Sequence, residues 1–116
     1  MDYLKLLENL ENDLDISNSR FETVKFFRKD ITSVWVWFIV LISYYKRTKV
    51  TPETILNKIP KEYASRVTIF KILDDAVKKK YFNKEVDIND KRKFIISPTK
   101  ITLEEFEKWS LIFKGF

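Results

Sequence analysis

The segment from Asn89 to Lys100 reads NDKRKFIISPTK and sets one acid, Asp90, directly before three consecutive cations, Lys91, Arg92 and Lys93. Ammonium and guanidinium groups perform no bond-making here. Followed at once by the apolar run Phe94-Ile95-Ile96, they suit a loop that rises from a core and presents positive charge to an anion. A second set, Arg66, Val67, Thr68 and Lys71, falls near the exposed start of a helical pattern and adds two more cations. The pairs Asp74-Asp75 and Glu104-Glu105 offer adjacent carboxylates. Neighbouring helical positions do not face each other, so these make a poor acid–base dyad and read as surface charge.

Composition removes most other chemistry. The 116 residues contain no cysteine and no histidine, hence no disulfide, no thiolate nucleophile and neither of the commonest metal ligands. The one glycine, Gly115, leaves no glycine-rich phosphate loop. With 45% hydrophobic and 16% aromatic residues the chain can bury a core, and its length suits one domain spanning residues 1–116. The reading is a cytoplasmic binding protein with no catalytic residues, no metal and no cofactor. The start, MDYLKLLENLENDLD, is acidic and amphipathic and does not resemble a secretory signal. The uncharged run from Ile31 to Tyr45 is 15 residues long. A membrane-spanning helix needs about 20, so the run reads as a buried helix rather than an anchor.

The formal charge of +5 is unevenly spread. Residues 46–100 carry 15 Lys/Arg against 7 Asp/Glu, a net of +8, whereas residues 1–45 net −2 and residues 101–116 net −1. A contiguous cationic region of this kind is the electrostatic footprint of a polyanion-binding face, although lysine-rich surfaces also serve solubility.

The elements that must position these groups follow from periodicity. Tyr3, Leu7, Leu10 and Leu14 recur at helical spacing, so residues 1–15 read as an amphipathic helix, which the segment ISNSR ends. Phe21 to Phe27 is ambiguous. Residues 31–45 read as a helix buried nearly all round, with Trp35, Trp37 and Phe38 in the core. Thr51 caps a short helix that has Pro52 at its first position and Pro60 at its close. From Ala64 to Lys80, Ile69, Ile72, Leu73, Ala76 and Val77 share one face. YFNKEVDI and KFII flank the turn NDKRK as a hairpin, and a last helix from about Leu103 carries Phe106, Trp109 and Phe113. The order helix, short helix, helix, hairpin is that of a winged helix-turn-helix: mainly α with a small β-hairpin, flanked by N- and C-terminal helices. The expected parts are a dimerisation helix and connection at 1–30, the winged core at 31–100 and a C-terminal helix at 101–116.

At this point the residues resemble the MarR-type (multiple antibiotic resistance regulator) winged-helix transcription regulators. The family's recognition helix commonly begins with a Ser-x-x-Thr pattern, matched by Ser65-Arg66-Val67-Thr68. Its wing carries Asp-basic-Arg with a Thr seven positions on, matched by Asp90-Lys91-Arg92 and Thr99. Two departures stand out: Lys80 occupies a position usually held by glycine, and the chain is shorter than typical members. The resemblance implies a homodimer that binds double-stranded DNA and regulates transcription. Ser65, Arg66, Val67, Thr68 and Lys71 would enter the major groove, with Lys91, Arg92 and Lys93 on the wing. Arg92 would enter the minor groove and Asp90 would hold it extended. Tyr3, Leu7, Leu10, Leu14, Trp109 and Phe113 would supply the dimer interface. Trp35, Trp37, Tyr44 and Tyr45 could line a pocket for a small aromatic effector, though aromatic stripes on such helices are more often core. Alternative readings are a winged helix used as a protein-interaction module, since fold does not fix function, and a small membrane-associated protein.

Overall fold

The computed structural model describes residues 2–16 and 19–113. Ser17 and Asn18 of the helix-ending segment, and residues 114–116 of the C-terminal region with Gly115, lie outside the described residues.

Several of the helices start at a residue whose own side chain satisfies a free N–H group. Asp2 precedes α1 (Tyr3–Asp13) and accepts from Lys5 N at 3.0 Å. Asp30 precedes α3 (Ile31–Lys46) and accepts from Ser33 N at 2.8 Å. Thr51 caps α4 (Pro52–Lys58), where Pro52 loses no bond by lacking an N–H. The ambiguous segment forms α2 (Glu22–Phe27). Its cap comes from far along the chain: the Glu105 carboxylate accepts from Thr23 N at 2.8 Å and from the Thr23 hydroxyl at 2.7 Å. Glu105 is therefore a structural cap and not the surface charge that its pairing with Glu104 suggests.

The ends of α3 and of α5 (Arg66–Lys78) share one device. Thr48 N donates to Ser43 O and Arg47 N to Tyr44 O, while Tyr81 N donates to Ala76 O and Lys80 N to Val77 O. This pairing requires a left-handed residue just past the helix, usually glycine. Here Arg47 (φ 58°) and Lys80 (φ 63°) fill it. A side chain at such an angle costs about 1 to 2 kcal/mol, which the satisfied carbonyls and the turn into the next strand offset.

From Lys80 the chain enters β1 (Phe82–Val86), which pairs antiparallel with β2 (Phe94–Pro98) in the register Phe82↔Pro98 through Val86↔Phe94. Val50, just before α4, adds a bridge to Ile96 and ties the hairpin base to the helices. Thr99 then starts α6 (Lys100–Trp109), with a 3₁₀ turn at Ser110–Phe113. The hydroxyls of Thr99 and Thr102 both donate to Tyr81 O, at 3.1 and 2.7 Å, fixing α6 to the start of β1.

The core lies where α2, α3, α5 and the hairpin meet. Phe27 stacks between Trp37 (5.8 Å between ring centres) and Phe82 (4.9 Å), and Trp37 in turn meets Phe106 and Trp109. Ile55, Ile69, Val36, Val40 and Ala76 complete it with almost no exposure. The expectation that α3 is buried nearly all round is corrected here. Trp37 is fully buried, but Trp35 is only half-buried and Phe38, Ile42, Tyr44 and Tyr45 are exposed, because β2, α5 and α2, which pack on α3, leave these positions uncovered. α1 buries no side chain of its own and leans on the body chiefly at the 3₁₀ turn. Its Asp13 carboxylate joins it to Trp109 Nε1 (2.8 Å) and to the Arg28 guanidinium. The radius of gyration, 15.3 Å, exceeds the roughly 13 Å of a compact chain near this length, and the molecule is elongated, 50 × 28 × 24 Å. No helix among the described residues is long and apolar enough to cross a membrane.

Candidate nucleic-acid interface

α5 turns Ile69, Ile72, Leu73 and Ala76 inward, which leaves Ser65, Arg66, Val67, Thr68 and Lys71 along one exposed edge. Val67 is 78% exposed, an unusual state for a β-branched apolar residue in a helix. The serine and threonine are occupied with each other. Ser65 Oγ accepts from Thr68 N at 3.2 Å and lies 3.1 Å from the Thr68 hydroxyl, so the pair caps the helix whatever else it touches. Arg66 reaches back to α4, where Glu53 accepts from Nη2 at 2.6 Å and from Nη1 at 3.4 Å. Its guanidinium lies over the Phe70 ring at 4.8 Å. Lys71 stands near Asp75 one turn on, at 3.9 Å.

The hairpin loop is built on two carboxylates turned into their own backbone. Asp87 Oδ1 accepts from Asn89 N (3.0 Å) and from the Lys49 ammonium (3.3 Å), which fastens the loop base to the segment before α4. Asp90 Oδ1 accepts from Arg92 N (3.1 Å) and from Arg92 Nε (3.2 Å). Both carboxyls are held below the usual carboxylate range. For Asp90 the first cause is the Arg92 side chain, and for Asp87 it is the backbone N–H of Asn89. The Asp90 side chain is 27% exposed while that of Arg92 is 90% exposed, so the acid is tucked in and the guanidinium stands out. Lys91 and Lys93 are exposed beside it.

These two sets flank Phe70. On one side Phe70 carries Arg66. On the other it helps line a cleft of about 510 Å³ with Thr51, Thr54, Lys84, Arg92, Lys93 and Phe94. The sequence-predicted residues of α5 and of the loop thus lie on neighbouring surfaces joined by one aromatic side chain, with Lys91 at the loop tip. Sequence reasoning missed Glu53, Phe70, Lys84 and the Lys49–Asp87 tie. Only Phe70 carried a signal, its place one turn from Arg66 (i, i+4) on a helix.

The α1 and C-terminal segments expose several apolar side chains among charged ones. Tyr3, Leu7 and Leu14 are exposed, Leu10 is partly buried, and Phe113 sits edge-on to Trp109 at 5.7 Å. Trp109 is half-buried within the chain's own aromatic cluster. Phe38, Leu41, Ile42, Tyr45, Phe106 and Phe113 border a groove of about 520 Å³ between α3 and the C-terminal segment. Of the four aromatics considered for an effector pocket only Tyr45 lines this groove: Trp37 is core and Trp35 packs on Tyr63. Among the described residues no group of three or more acidic side chains is placed to hold a metal ion.

The sequence matches no protein-family model and no curated protein. Solved structures do match in shape. The S. aureus MepR–DNA complex superposes with a TM-score of 0.63 at 18% identity, covering 97% of this chain and 83% of that one. S. aureus MepR bound to ethidium bromide gives 0.60 at 16% identity, covering 97% and 76%. The transcriptional regulator Tm0710 from Thermotoga maritima gives 0.54 at 16%, covering 89% and 69%. MepR is a MarR family regulator. At these identities the likeness is one of fold, and the fold is the winged helix-turn-helix with a helical segment on either side.

Proposed function

We propose that this chain is a MarR-type transcriptional regulator that binds double-stranded DNA in a sequence-specific way as a homodimer. α5 enters the major groove through Arg66, Val67, Thr68 and Lys71. The hairpin, with Lys91, Arg92 and Lys93, lies along the neighbouring minor groove. The observation that carries the reading is Arg92: a guanidinium extended into solvent and braced from behind by Asp90, at the tip of a hairpin beside the exposed start of α5. Arginine suits a narrow, strongly negative minor groove because its planar group is weakly hydrated. The net of +8 over residues 46–100 supplies the longer-range attraction. One of the solved structures similar in fold is a MepR–DNA complex, which supports DNA as the partner.

The apolar end supplies the second half. Exposed Tyr3, Leu7 and Leu14 with Phe113 form a surface that a second copy would cover, and a dimer would present two α5 helices and two wings to DNA. No catalytic step is assigned, and the reading places the protein in the cytoplasm. The test is a fluorescence anisotropy titration with mixed-sequence duplex DNA at two salt concentrations, alongside size-exclusion chromatography with light scattering. Binding that weakens steeply with salt, by a dimer, is expected. A monomer with no affinity for duplex at low salt would refute the reading and favour a protein-interaction module.

A further inference from the structure

An acid on a DNA-facing surface needs a reason, and Glu53 is such an acid. It lies in the first turn of α4, exposed, and borders both clefts that flank the start of α5: one of about 600 Å³ with Ser65 and Arg66, the other with Arg92 and Lys93. The positive end of α4 favours a carboxylate there, but that effect is satisfied by any acid in the first turn and does not fix its direction. Its direction is fixed by Arg66. The two Glu53 oxygens meet Nη1 and Nη2, the end edge of the guanidinium, while Phe70 holds the plane from below at 4.8 Å.

The geometry of the guanidinium gives this contact a consequence. Five N–H groups are arranged around a plane, and two of them face Glu53. Nε–H and the other Nη2 N–H remain side by side on the second edge, the pair that reads the O6 and N7 acceptors of guanine. A braced Arg66 can therefore hold Glu53 and one base edge together. Turning its end edge onto a phosphate would break the contact with Glu53 and leave the carboxylate beside a polyanion.

We infer that Glu53 is a specificity-determining residue which, by bracing Arg66 against Phe70, fixes the direction of its free Nε/Nη2 edge and favours a base edge over a phosphate. This rests on the DNA-binding reading above. It adds a residue that acts through Arg66 and is itself a positioning residue.

The test uses the full chain and four variants: Glu53→Gln, Glu53→Asp, Arg66→Ala and the double variant Glu53→Gln/Arg66→Ala. Sites enriched by the wild type from a randomised duplex library are compared with mixed-sequence duplex over a salt series. Glu53→Gln is expected to lower discrimination at one base position by about fivefold or more. It should also raise mixed-sequence affinity and steepen the salt slope by about 1, as a freed Arg66 takes one more phosphate. Glu53→Asp keeps the charge but is too short for the fork, so it should lose the same discrimination. In the Arg66→Ala background Glu53→Gln should change discrimination no further. An equal effect of Glu53→Gln with and without Arg66, or full discrimination by Glu53→Asp, would show a free surface charge and overturn the inference while leaving DNA binding intact. Absence of salt-dependent duplex binding by the wild type would remove the reading beneath it and the inference together.

Discussion

At the α1 end of the molecule the exposed large apolar side chains are Tyr3, Leu4, Leu7 and Leu14, joined by Leu111 and Phe113 of the C-terminal turn and set beside Lys5, Glu8 and Glu11. At the wing end the exposed cations are Arg66, Lys71, Lys84, Lys91, Arg92 and Lys93, beside exposed Val67 and Ile88. The two ends also hold their shape differently. The wing is organised locally, by Asp87 and Asp90 bonding within their own loop, and is fastened at its base by Lys49 and the Val50–Ile96 bridge. α1 is organised as a helix but attached mainly through Asp13. Exposed apolar surface is relieved by a protein partner and exposed cations by a polyanion, and the proposed function gives the two ends different partners on that ground.

The strongest way to break the contrast is through the core that both ends share. Trp37 touches Phe27 from the wing side and Phe106 and Trp109 from the α1 side. Trp37→Ala should destabilise the fold by about 3 to 5 kcal/mol in chemical denaturation, with dimerisation and DNA binding lost together. A variant that unfolds normally yet loses only one of the two activities would show that the ends are not coupled through this cluster.

Separating the ends comes next. Removal of residues 1–15 should give a monomer by light scattering, with DNA affinity reduced and the folded core retained, because α1 contributes no buried side chain. A truncated chain that remains a dimer with full affinity would place the interface elsewhere, the α3 groove with Phe38 and Ile42 being the next surface to examine.

At the wing, Arg92→Ala should cost about 1 to 3 kcal/mol of specific binding, with Lys91→Ala and Lys93→Ala each costing less. Asp90→Ala should also weaken binding, although it removes a negative charge, because it releases Arg92. Acid should act in the same direction. The Asp90 carboxyl is held low by Arg92, so its bracing is fully present above the usual carboxylate range and is lost only as pH falls through the depressed value. Tighter binding by Asp90→Ala, with the three basic substitutions interchangeable, would reduce the loop to a cationic surface.

The smallest expected effect concerns neither partner. Lys80→Gly relieves a left-handed backbone angle and should raise stability by about 0.5 to 1 kcal/mol in thermal melts, without altering DNA affinity. A loss of DNA affinity would give the Lys80 ammonium a role that its position at the far end of α5 does not suggest.

How much of this was legible follows the range of the interactions. Caps and punctuation act over three or four residues, so Thr51-Pro52 and Ser65-x-x-Thr68 marked their helices, and Asp90-Lys91-Arg92 marked a turn that the structure does form. The glycine-to-Lys80 departure was visible, and the left-handed angle there shows what that glycine usually provides. Contacts over long separations were not legible. Glu105 caps α2 from 82 residues away, and no local pattern distinguishes it from Glu104. The uncharged run 31–45 marked a helix, but hydrophobicity alone cannot tell which face neighbours cover, so Phe38 was placed in the core and is exposed. Glu53 lies in the first turn of α4, where any acid is favoured, and its bond to Arg66 depends on how α4 and α5 meet.

The most direct test is a selection of binding sites from a randomised duplex library by the full-length protein, with light scattering on the protein–DNA complex. The expected result is an enriched, approximately two-fold symmetric site bound by two chains, its half-sites about one helical turn apart so that two α5 helices reach successive major grooves. Enrichment of no sequence at all, or of an asymmetric site bound by a single chain, would contradict it.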